Sequence, residues 1–142
     1  MLELIPLCTA TVDVTANHDI GTGPAGARSV GDITAARFEG ERRRADLAGS
    51  AAADWLVRTG SGAIVDVRMT LRTDDGALIY MQYGGRLDLA RRDDGLNAYC
   101  APVFETGDER YAWLNGIQAV GKGRIVAGPA GTRIEYEFHE VR

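Results

Sequence analysis

Asp54 and Trp55 stand side by side at the start of a short run that reads as a strand, a carboxylate next to a large ring. A ring that keeps water from a carboxylate penalises its charged form. That raises its pKa toward the range where it can exchange protons near neutrality. Arg68 is the second candidate, a cation able to hold an anionic or enolate oxygen. Tyr111, Trp113 and Asn115 recur at alternate positions, so a strand running through them would project all three to one side. With Trp55, Tyr83 and Phe104 they supply the aromatic walls and sparse polar groups from which small-molecule pockets are built. The chemistry this set would serve is general acid–base: Asp54 and Arg68 catalytic, and Trp55, Tyr83, Phe104, Tyr111, Trp113 and Asn115 binding the substrate. A lone Trp is more often a core residue. The polar members tilt the reading toward a pocket, because a buried Asp, Asn or Arg must be paired or must line a wet cavity.

Other chemistries find less support. Gly21–Thr22–Gly23–Pro24–Ala25–Gly26 spells GxGxxG, but a dinucleotide fingerprint needs a strand before it, a helix after it and a βαβ unit around it. Pro24, Ser29 and Gly31 argue instead for a flexible loop. No glycine-rich loop runs into Lys-Ser or Lys-Thr. Ser29, Ser50 and Ser61 lack a nucleophile-elbow context, and His18 and His139 offer few candidates for a triad base or a zinc site. Cys8 and Cys100 are far apart in apolar settings and read as buried free thiols. No cofactor and no metal are therefore expected.

The formal net charge of −4 argues against a nucleic-acid partner. The dense basic run Arg42–Arg43–Arg44 is flanked by Glu39, Glu41 and Asp46 and reads as a solvated face. No apolar stretch approaches the ~20 residues that span a bilayer, so no membrane partner is expected. The N-terminal segment carries Glu3 and no basic n-region, which does not read as a signal peptide, so the cytoplasm is the expected compartment. The partner is a small molecule, and self-association into a homo-oligomer stays open.

The elements that must position these residues are strands. Ala63–Arg72 alternates Val65, Val67, Met69 and Leu71 against Asp66, Arg68, Thr70 and Arg72. Asp75–Gly76 then joins it to Ala77–Tyr83, a strong hairpin signal. Further strands are expected at 2–14, 33–39, 54–58, 98–106, 110–114, 117–126 and 133–141, with Pro6 marking a bend or edge. Turn signals lie between them at Gly60–Ser61–Gly62, Asp93–Asp94–Gly95, Gly107–Asp108 and Gly128–Pro129–Ala130–Gly131. Helix signals are weak, although the Ala-rich 42–55 segment has room for a turn or two. At 142 residues the chain reads as one domain, 1–142. Closure of many short strands removes exposed edges, which favours a single antiparallel β-barrel of about eight to ten strands with little helix.

Ala53–Asp54–Trp55, Asp66–Val67–Arg68, Asp74–Asp75–Gly76–Ala77, Phe104–Glu105–Thr106–Gly107 and Tyr111–Ala112–Trp113–Leu114–Asn115, in this order, resemble the bacterial and fungal family of domain of unknown function 3237. The resemblance runs from Pro6 to the final strand. It implies an all-β barrel of lipocalin-like shape holding a cavity, and little about activity. Where members tend to carry paired glycines, this chain has Ala35–Ala36 and Ala51–Ala52–Ala53, changes that would reshape a pocket mouth. The alternation of 63–72 leaves open which of its faces looks into the barrel. The resemblance and the nearby Asp54–Trp55 pair favour Arg68 facing inward. The expectation is that Asp54 and Arg68 open onto one pocket walled by Trp113. That pocket would serve a cofactor-independent isomerase, cyclase or lyase acting on a small apolar or aromatic carbonyl metabolite, the alternative being a non-catalytic carrier.

Overall fold

Alternating apolar residues need a second layer to bury against, and here the sheet supplies it by closing on itself. The computed structural model describes residues 1–92 and 94–142, so the Asp93 part of one expected turn lies outside the described residues. Among the described residues nine strands form one antiparallel sheet: β1 (Leu4–Gly23), β2 (Gly26–Gly40), β3 (Arg43–Leu47), β4 (Ala53–Thr59), β5 (Gly62–Thr73), β6 (Leu78–Asp88), β7 (Asn97–Glu105), β8 (Gln118–Gly128) and β9 (Gly131–Val141). The ring closes through β1–β2 pairing, while β3 and β4 share the position between β2 and β5. β3 occupies one end of that position, opposite Gly40–Arg37 and 71–73, and β4 the other, opposite 27–32 and 62–68.

The β5–β6 hairpin forms as expected. Gly76, at φ +95°, takes the left-handed position that a side chain would resist, and its amide donates to the Thr73 carbonyl at 2.9 Å. Inside the ring, Met69 and Leu71 of β5 join Ile79 and Met81 of β6, Phe38 of β2 and Phe138 of β9 in a continuous core.

Four local expectations are corrected. The 42–55 segment has no helix: it forms β3 and the first half of β4 around a short excursion. Residues 110–114 are not a strand but part of a 3-10 helix, Glu109–Gly116, begun by Asp108, whose carboxylate accepts the Arg110 amide at 3.0 Å. This helix drives the fully buried Leu114 into one end of the barrel. The Gly21–Gly26 segment is no free loop, because Gly23 and Gly26 pair as the tip of a long β1–β2 hairpin. Arg43, expected on a solvated face, is only 2% exposed. In β3 it shares the inner face with the buried Ala45, and its guanidinium lies 4.5 Å from the Phe104 ring centre and 5.3 Å from that of Phe38. Arg43 Nη2 donates to Cys8 Sγ at 3.4 Å. Cys8 and Cys100 are buried free thiols, and burial pushes Cys100 up to about 12.

Candidate functional site: a one-ended cavity in the barrel

With Leu114, Phe104 and Arg43 filling one end, space is left at the other. A cavity of about 210 Å³ lies there, walled by Val12, Val14, Ile33, Leu56, Val65 and Val67 and by inward residues of β6, β8 and β9. A dry cavity of about 150 Å³ suffices for benzene, so this one has room for a single ring with a short substituent.

Among the described residues Asp54 supplies the only carboxylate in the wall. It faces inward because Asp54 lies opposite Val67 in the β4–β5 register, and Val67 is on the buried face of β5. The ladder between these strands pairs at 53–54 and again at 57–59, with an interruption at 55–56. In that gap the Asp66 amide donates to Asp54 Oδ1 at 3.1 Å, and Arg28 Nη1 donates to the Trp55 carbonyl at 2.8 Å. Burial pushes the Asp54 carboxyl up to about 6. The Asp66 amide bond opposes the rise and the Asp66 charge adds to it. Such a group is poised to exchange protons near neutrality.

Across the cavity stand Tyr83 and Tyr136, 1% and 6% exposed. The Tyr83 hydroxyl donates to the Tyr136 oxygen at 3.1 Å. Burial holds both hydroxyls far above the ordinary tyrosine range, and the Asp54 charge pushes both further the same way. With its oxygen already accepting, Tyr136 keeps its own proton to offer into the cavity. Its ring fits because Gly123, its partner on β8, has no Cβ: a methyl there would overlap the ring. Asn17 and Arg58 sit at the mouth, both exposed.

Of the residues expected to form the site, only Asp54 and Tyr83 line this cavity. The expectation that Asp54 and Arg68 open onto one pocket is overturned. Arg68 lies opposite Ala53, one residue out of phase with Asp54, so it is on the outer face with its guanidinium 4.5 Å from the Trp55 ring centre. Trp55 therefore lies outside as well. Trp113 is not a cavity wall: it belongs to the 3-10 helix at the closed end, under the Arg42 guanidinium at 4.2 Å. Tyr111 donates its hydroxyl to Asp75 Oδ1 at 2.8 Å. Asn115 clamps the Thr106 backbone, accepting its amide at 2.8 Å and donating to its carbonyl at 2.9 Å. Phe104 is buried beneath Arg43. Sequence reasoning missed Tyr136, Arg58 and Asn17. For Tyr136 a signal existed in the alternation Ile134–Tyr136–Phe138 facing Gly121 and Gly123.

No group of three or more His, Cys, Asp or Glu side chains able to hold a metal ion gathers among the described residues. No helix among them is long and apolar enough to cross a membrane.

The family profile described as "protein of unknown function (DUF3237)" matches residues 2–141. The chain belongs to this family. Its barrel resembles that of a β-barrel-like protein from Acinetobacter baumannii AYE, at 30% identity and a TM-score of 0.83 over 100% of this chain and 97% of the other. A conserved protein of unknown function from Rhodopseudomonas palustris shares the fold at 22% identity and a TM-score of 0.82, covering 100% and 99% of the two chains. An enzyme from Penicillium herquei does so at 20% identity and a TM-score of 0.68, covering 99% and 93%. No curated protein matches the DUF3237 chain described here.

Proposed function

We propose that the cavity takes up a small apolar or aromatic carbonyl metabolite and that Asp54 moves a proton on it, in a cofactor-independent isomerase, cyclase or lyase type of reaction. The observation that carries this reading is a carboxylate, the only one among the described lining residues, held among Leu56, Val65, Val67 and Leu87, with its pKa pushed up to about 6. Burying an ionisable group costs free energy that the uptake of an apolar molecule alone does not require. Asp54 would take a proton from the carbon next to the carbonyl. The C–H electron pair becomes a C=C bond and the carbonyl π pair moves to oxygen, where the Tyr136 hydroxyl donates to it. Protonated Asp54 then returns the proton to a second position. Tyr136 thus takes the oxygen-holding role that the sequence suggested for Arg68. That the same fold serves an enzyme in Penicillium herquei is in keeping with this reading.

The carrier reading draws on one observation, the position of Arg68 outside the barrel, which leaves the wall mostly apolar. Exchange of α-protons into D₂O from enolisable aryl ketones separates the two. The expected result is exchange by the native protein and a loss of roughly a hundredfold or more in Asp54→Asn, with ligand binding retained. A native protein that binds such ketones and exchanges no proton would be a carrier.

A further inference from the structure

We infer that Arg58 sets the specificity of this cavity, selecting small apolar molecules that end in a carboxylate or a similar single anionic group. The inference rests on the cavity being the ligand site and adds to it a substrate class and an orientation.

The inner face of β4 presents Asp54, Leu56 and Arg58 in succession, and all three line the cavity. Four residues of extended strand span roughly 13 Å, so the wall carries a carboxylate at depth and a guanidinium at the mouth, with an aliphatic side chain between. Arg58 is the only cation among the described lining residues. Five guanidiniums elsewhere, those of Arg37, Arg42, Arg110, Arg133 and Arg142, each meet a carboxylate. The Arg58 side chain has no ion-pair partner among the described residues. Around the mouth stand Asn17 and Thr132, which are neutral, and Leu89, Leu96 and Ile125, which are apolar. A guanidinium in this setting presents a planar fork of donors to whatever enters.

The same arrangement fixes which way a ligand lies. An anionic group at depth would face the Asp54 carboxylate in surroundings that screen charge poorly, and it would be repelled. At the mouth it meets Arg58, while the apolar body fills the space between Leu56, Val65 and Val67. The uncharged end then reaches Asp54 and the Tyr136 hydroxyl. The cavity volume of about 210 Å³ limits the body to one ring and a short chain.

Cinnamate and its neutral counterpart cinnamyl alcohol test this, each titrated into the native protein, Arg58→Gln, Arg58→Lys and Asp54→Asn by calorimetry, with NMR shifts of Tyr83 and Tyr136 as the marker of cavity occupancy. The native protein should bind the acid about tenfold more tightly than the alcohol at low salt, a preference that shrinks as salt rises. Arg58→Gln should erase the preference without weakening the alcohol, Arg58→Lys should keep part of it, and Asp54→Asn should keep it in full. Equal affinity of the two compounds in the native protein, or an unchanged preference in Arg58→Gln, overturns the role of Arg58 while leaving the cavity as a ligand site. Failure of both compounds to shift the tyrosine signals overturns the inference and the cavity reading together.

Discussion

Tyr83 gives its hydroxyl proton to Tyr136 across the barrel interior, at 3.1 Å, so the two rings are unequal members of one pair. Removing the acceptor strands a buried donor, whereas removing the donor leaves Tyr136 facing the cavity. Tyr136→Phe should therefore cost about 1–3 kcal/mol and Tyr83→Phe about 0.5–1.5 kcal/mol in urea unfolding. The opposite order of losses would mean that the donor has been assigned the wrong way round.

Asp54 ties stability to pH. Its folded pKa of about 6 exceeds the unfolded value near 3.8, so the folded state binds the extra proton between these limits. Stability from this group is complete below about pH 4 and declines as pH rises through about 6, by roughly 2–3 kcal/mol in all. Asp54→Asn should flatten that part of the profile and leave the variant more stable than the native protein at pH 8. Parallel profiles for the two proteins between pH 4 and pH 7 would rule out a raised carboxyl.

Arg68 and Trp55 make an exterior contact, and their removal should be felt there only. Arg68→Ala is expected to cost about 0.5–1 kcal/mol and to change Trp55 fluorescence, while cavity ligands bind as before. A tenfold loss of ligand affinity in this variant would return Arg68 to the site.

Gly123 makes room for the Tyr136 ring. Gly123→Ala should cost about 1–3 kcal/mol through overpacking. Adding Tyr136→Leu should recover part of that loss, since the two changes share one space. Strictly additive losses would show that the ring finds room elsewhere.

Strand pairing was legible in the sequence wherever polar and apolar residues alternated across a clear turn, as from Val65 through Gly76 to Tyr83. Asp54 was legible as a candidate because it stands beside Trp55 and a buried acid must be paired or line a wet cavity, although the Trp55 ring lies outside the barrel and does not desolvate it. The side on which Arg68 falls was not. Period two says that neighbours part company, and Asp54 and Arg68 are one step out of phase only through the β4–β5 register, a long-range property. Tyr111, Trp113 and Asn115 misled for a related reason: their alternate spacing suits a strand, but Asp108 caps a helical turn that sends them elsewhere. Arg43 shows the reverse error. Charge suggested solvent, whereas its place in step with Ala45 and Leu47, alternating against Arg44 and Asp46, already put it on the inner face.

The closed end of the barrel bears on kinetics. Leu114, Phe104 and Arg43 are buried across that end, so among the described residues the door for anything that occupies the cavity lies at the other, by Asn17, Leu89 and Leu96. Traffic through one door is symmetric: an obstruction there slows entry and exit by equal factors and leaves equilibrium affinity untouched. The barrier at the door thus acts on residence time and not on affinity. A change in the loops there can alter residence time alone, whereas a change in the β4 wall that weakens binding shortens residence time as well.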